Sequence, residues 1–443
     1  MNSKSFYFKS LLLLPAFALF ASCDKENSND GIDSGTNPNQ PTEGIYPNGS
    51  IVWKKDTTVI LKDHFLVEAG KSLYIEEGAT IIASNVDVKP EIIVLGNMYC
   101  MGTAEKPILF TVDEASKSDR FSRNWGGIIC GFDSKEVYMN HTTIEYGGAI
   151  TTDNSLSIRY ELFKTETGEG VPAFHFCNRN GSFVITNSTF RNNAEDHIYI
   201  TGGKSIVSNS RFITNGYDGG EAINYKSECK ADIAYNMIYD ANTNAFKLSN
   251  AGFEVTQSHI FCYNNTILNT GWRRPKVKGG SIWLEQTIIA ELYNNLIADC
   301  RWGLKQSTEV PMANASVITP NYYFASTQTG VDQMQAKEQD GILNGANDIM
   351  SASAGDKNPL FKNFTQQANI NINASGNTDE APVAFSNDWS FALSANSPAL
   401  TGGNTTFKSH FMDTPIVMEG LDGIIENKFN SPRPAAFFGA FGN

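Results

Sequence analysis

One four-residue motif occurs five times in the middle of this chain, and its spacing restricts the fold more than any other feature. Asn187-Ser-Thr-Phe190 is echoed by Asn209-Ser-Arg-Phe212, Tyr235-Asn-Met-Ile238, Asn264-Asn-Thr-Ile267 and Asn294-Asn-Leu-Ile297. The intervals are 22, 26, 29 and 30 residues, and His141-Thr-Thr-Ile144 reads as an earlier member. A constant motif at an uneven interval of this size marks a solenoid in which loops of varying length interrupt constant strands. The Asn, Thr and β-branched content excludes helical solenoids. A β-propeller needs repeats nearer about 40–50 residues, and a β-sandwich carries no repeated motif. Each repeat therefore reads as one coil of a parallel β-helix, with strands of successive coils about 4.8 Å apart. Strand alternation then stacks Phe190, Phe212, Ile238, Ile267 and Ile297 in the interior. The asparagines at the sharp turn are expected to share one corner of successive rungs and to form a hydrogen-bonded ladder.

The flanks of the repeat set the compartment. Lys4 and Lys9 precede an apolar run, Leu11 to Phe20, of about ten residues, well short of the roughly 20 that span a bilayer. Phe20-Ala-Ser-Cys23 then resembles a bacterial lipobox, with Phe20 in place of the usual leucine; an ordinary secretory signal cut near Ala21 is the alternative. On the lipobox reading, residues 1–22 are a signal peptide, Cys23 is the lipidated N-terminus and residues 23–44 are a flexible acidic tether. Asp24-Lys-Glu26 resembles the export signal of surface lipoproteins in Bacteroidetes, which implies outer-membrane display on the cell surface. Loss of Lys4 and Lys9 takes the net charge from −13 to −15. Such acidity argues against nucleic acid, against an anionic membrane face and, unless a local basic site exists, against acidic polysaccharides, so membrane contact is expected through the lipid alone. Six cysteines remain after Cys23, dispersed and without metal-ligand spacing, and are expected to be mostly small buried residues.

Residues from about 50 onward resemble the right-handed parallel β-helix proteins of the pectate-lyase-like superfamily. The opening is carried by Leu73-Tyr-Ile-Glu-Glu-Gly78, Gly102-Thr-Ala-Glu-Lys-Pro107-Ile-Leu-Phe-Thr111, Trp125-Gly-Gly-Ile128 and Ile144-Glu-Tyr-Gly-Gly148. The finish is carried by Asn358-Pro-Leu-Phe361, Trp389-Ser-Phe-Ala-Leu393, Ser397-Pro-Ala-Leu400 and Phe438-Gly-Ala-Phe441. The resemblance implies an all-β, right-handed parallel β-helix solenoid over residues 45–310. Residues 311–443 are expected to be irregular terminal coils and a C-terminal cap of the same domain. It implies no single chemistry, because this fold carries lyases, hydrolases, adhesins and stalks alike.

After each motif comes a loop and a second short strand: His197-Ile-Tyr-Ile200, Ala222-Ile-Asn-Tyr225, Ala245-Phe-Lys-Leu248, Ser281-Ile-Trp-Leu284 and Gly303-Leu-Lys-Gln306. Alternation turns the third position of each outward. Tyr199, Asn224, Lys247, Trp283 and Lys305 then form one exposed column, a strip suited to stacking a sugar ring and holding a carboxylate; a solvated sheet face is the other reading. Trp272 and Trp302 join this candidate glycan-binding set from neighbouring loops. Two enzyme schemes fit the same edge. A uronic-acid lyase would use Arg273 or Lys247 as base, with Ca²⁺ near Asp196, Asp218 and Glu221. A glycoside hydrolase would pair Asp196 with Glu221 from consecutive coils, at roughly 5 or 6.5–9.5 Å. His197, beside Asp196, is a candidate dyad partner, though a histidine at a strand start is ordinarily structural. Neither scheme has a diagnostic motif. The leading expectation is a monomeric, lipid-anchored surface protein that binds a polysaccharide or glycoprotein glycan, or acts in adhesion, and needs no cofactor. The alternative is a polysaccharide lyase, before a hydrolase, with Ca²⁺ if a lyase.

Overall fold

The computed structural model describes residues 45–162, 166–217, 219–252, 256–274, 279–365 and 384–443. Cys23 and the tether lie outside them. The described residues form three long sheets of nine, eleven and ten strands, in which strands from successive coils pair in parallel. The first sheet runs from Ile51–Trp53 to Ile289–Tyr293, the second from Thr58–Leu61 to Ile349–Met350. The third runs from Phe65–Val67 to Leu304–Gln306, where Ile342–Leu343 adds an antiparallel edge. This is the right-handed parallel β-helix expected from the repeat.

The motif sits where the first sheet turns into the second. His141, Asn187, Asn209, Tyr235, Asn264 and Asn294 all take left-handed backbone angles, with φ between 44° and 58°. Asparagine tolerates that region better than other side chains, which explains its recurrence there. Two residues downstream the strand of the second sheet begins, and its inward positions are in register. Ile144, Phe190, Phe212, Ile238, Ile267, Ile297 and Tyr323 pair in that order. None is more than 1 % exposed.

The ladder belongs to the residue after each corner. The backbone N–H groups of Ser210, Asn236, Asn265 and Asn295 donate to the side-chain oxygens of Asn236, Asn265, Asn295 and Asn321 at 3.0–3.2 Å. Each of these asparagines also donates through Nδ2 to an interior carbonyl, as Asn265 does to Ile233 at 3.0 Å. The corner asparagines Asn264 and Asn294 make one such link, Asn294 Nδ2 to Asn264 Oδ1 at 3.4 Å, and otherwise bond the C-terminal tail at Phe437 and Asn404. Asn265→Ala should cost about 2–4 kcal/mol in a urea titration, because it strips the acceptor from two donors of Asn236 and takes a donor from the Ile233 carbonyl. Loss below about 1 kcal/mol would mean the ladder is decorative.

The far end of the core is closed by helix Gln328–Met334, whose Val331 and Met334 enter the main cluster with Tyr323 and Leu304. Residues 384–443 do more than cap an end. Phe391, Leu393 and Phe438 cover the outer face of the second sheet over Met237, Tyr239, Leu268 and Leu296. Phe411, Ile416, Met418 and Leu421 cover the first sheet over Tyr74, Tyr99, Tyr138 and Ile206. The outer face of the third sheet is left with a groove. The six cysteines among the described residues are buried and unbridged.

Candidate functional site

The third sheet brings the expected column together. Tyr199, Asn224, Lys247, Trp283 and Lys305 pair in register along one line. Over Tyr199 to Lys247 lies a groove of about 450 Å³, within the range of small-ligand clefts. Loops before the strands supply Glu195, Asp196, Gly219, Gly220, Glu221 and Arg274; Lys226 follows the strand of Asn224. The Arg274 guanidinium lies close over Gly219, where an added Cβ would stand 2.7 Å from one of its nitrogens.

Asp196 and Glu221 from consecutive coils meet. The Glu221 N–H donates to Asp196 Oδ1 at 2.7 Å and Asn224 Nδ2 to Oδ2 at 2.9 Å. Burial, then the adjacent Glu221 charge, hold the Asp196 carboxyl well above the usual carboxylate range.

Across the groove two ammonium groups share Glu285, Lys247 at 3.4 Å and Lys226 at 3.9 Å. Burial lowers Lys247, but the carboxylates of Glu221, Glu285 and Asp196 outweigh it and hold the ammonium above its ordinary range. Lys226 differs: burial first, then the Lys247 charge, pull it below. Its ammonium sits 5.7 Å over the Tyr199 ring. Further along, Lys305 lies 4.8 Å from the Trp302 ring and 6.0 Å from that of Trp283, whose indole N–H donates to Glu285 at 2.8 Å.

Several expected positions are corrected. Arg273 is 2 % exposed and spends its guanidinium on Asp240 Oδ1 and on the carbonyls of Asn215, Gly216 and Asp240, so it cannot serve as base. Trp272 is buried with its indole on the Asp299 carbonyl and is no sugar platform. Asn224 is 4 % exposed and anchors Asp196 rather than presenting itself. His197 points into the core between Phe190 and Phe212, and burial pushes it down to about 3, a neutral structural ring. Asp218 lies outside the described residues. Among the described residues no group of three or more potential metal ligands forms, and Asp196 with Glu221 makes only a pair. Lys226 and Glu285 were not singled out from the sequence. Both follow from one further step of alternation, two residues beyond Asn224 and Trp283.

No curated protein and no solved structure matches the chain. The family model of the pectate-lyase like beta helix domain matches residues 44–389. The three stacked parallel sheets and this match over most of the sequence give one conclusion: the chain belongs to the pectate-lyase-like β-helix family.

Proposed function

We propose that the groove binds an acidic polysaccharide, one bearing uronate carboxylates, and that the protein displays it at the cell surface from a lipid on Cys23. The observation that carries this reading is the convergence of Lys226, Lys247 and Arg274 on one groove whose floor carries Tyr199. Opposing charge is limited. Glu285 serves both lysines, Arg123 engages Glu195 at 2.9 Å, and burial favours the protonated form of Asp196. A carboxylate entering the groove meets Lys226, Lys247 and Arg274 over the Tyr199 ring, where charge-assisted hydrogen bonds are the strong ones. The protein should retain polygalacturonate or alginate and release neutral dextran. Lys247→Ala should weaken uronate binding by about 10-fold or more, a loss of about 1.5–3 kcal/mol. Equal affinity for dextran, or none for any uronate polymer in calorimetry, would overturn it.

The lowered Lys226 and the raised Asp196 favour a second reading, β-elimination. A neutral Lys226 would take the C5 proton of a uronate, electrons would move to form the C4–C5 double bond, and Asp196 would protonate the departing O4. Unsaturated product accumulating with the protein, and lost in Lys226→Met while binding persists, would establish it.

A further inference from the structure

We infer that the groove accepts the end of a glycan chain rather than its middle, an inference that rests on the glycan reading above. The outward column of the third sheet begins long before Tyr199. In register it reads Leu66, Ile93, Ile129, His175, then Tyr199. Ile93 and Ile129 have no exposed surface and His175 has 1 %, although all three point away from the core. They are covered by the long insertion between the strands Thr142–Glu145 and Phe174–Phe176. Its Leu156, Leu162 and Val171 pack with Leu66, Leu95, Ile93, Ile129 and the side of Tyr199.

The cover is anchored as part of the fold. Glu91, 1 % exposed, accepts from Ser157 twice, from the backbone N–H at 2.9 Å and from Oγ at 2.7 Å. The Ala149 carbonyl accepts from the Val171 N–H, and that of Glu169 from the Thr151 N–H, both at 2.9 Å, so the two legs of the insertion form a ribbon. The foot of this ribbon, Gly170 and Pro172, is the groove wall beside Asp196 and Tyr199. A polymer lying along the column would pass Lys305, Trp283 and Lys247 and then meet this wall. The terminal residue would lie against Asp196, Lys226 and Lys247. Its neighbour would lie over the Trp283 indole, where apolar sugar faces stack.

The test uses the unmodified protein and one polyuronate at constant mass, cut to a series of mean lengths. Binding at chain ends predicts that saturation capacity per gram doubles each time the mean length is halved, because only the number of ends changes. A uronate disaccharide should also compete for all bound polymer. Capacity that stays constant with length, in chains much longer than the groove, would overturn end recognition and leave the glycan reading intact. No binding at any length would overturn the glycan reading itself. Borohydride reduction of the reducing ends identifies the terminus: loss of binding assigns the reducing end, and an unchanged length series assigns the other.

Discussion

Replacing Arg273 by methionine should lower the free energy of unfolding by about 3–5 kcal/mol, the usual cost of removing one partner of a buried ion pair. The loss arises from what is left behind. Asp240 is 2 % exposed and would keep a carboxylate deprived of its 3.0 Å cation. Three carbonyls, of Asn215, Gly216 and Asp240, would lose donors at 2.7–2.9 Å in the same place. These carbonyls belong to successive rungs, so one guanidinium fastens one corner of the solenoid across them. Lysine offers no planar fork and should recover little of the loss. The measurement is a urea titration of Arg273→Met and Arg273→Lys beside the parent. It also separates two roles: a base would lose turnover with the fold intact, whereas a fastener loses the fold first. Equal midpoints for all three proteins would refute the structural role.

What could be read from residues alone follows from which forces are local. The left-handed corner, the inward stack from Phe190 to Ile297 and the outward line from Tyr199 to Lys305 are consequences of a repeat and of period-two alternation, both written in the sequence. Alternation fixes direction, however, and not exposure. Asn224 points outward and is still buried, because the Asp196 loop folds over it. The run Trp272-Arg-Arg274 reads as a basic surface loop, yet Trp272 and Arg273 are interior while Arg274 lines the groove. Charge alone does not separate these neighbours; the buried Asp240 that decides it lies in the previous coil. The ladder fell one residue later than the corner for a similar reason. A left-handed residue turns its side chain away from the stack, and the residue after it turns inward. The wall at Gly170 and Pro172 and the course of the tail have no periodic signal at all.

Asp232→Ala should cost about 3 kcal/mol or more and should free the tail from the first sheet. Asp232 sits on a strand of that sheet with its side chain outward and has no exposed surface. Two hydroxyls, of Ser409 and Ser431, donate to it at 2.6 Å. The backbone N–H groups of His410 and Phe411 add bonds at 3.1 and 2.9 Å. All four donors come from the tail, so alanine would strand donors on a segment that a single carboxyl gathers in, each buried one costing about 1–3 kcal/mol. Asparagine tests a finer point. Burial raises Asp232 above the ordinary carboxylate range, and the four hydrogen bonds only partly offset it. The folded state thus holds this proton more tightly than the unfolded chain does. The stability that proton provides is complete below the unfolded carboxyl range, near pH 3.9, and is lost as pH rises through the folded value. Asp232→Asn keeps an acceptor, cannot ionise, and should both soften the loss and flatten that segment of the stability–pH curve. Limited proteolysis reads the same event locally: cleavage within residues 403–443 should accelerate in Asp232→Ala while the three sheets persist. Unchanged cleavage together with an unchanged denaturation midpoint would show that apolar contacts at Phe411, Ile416 and Met418 hold the tail without it.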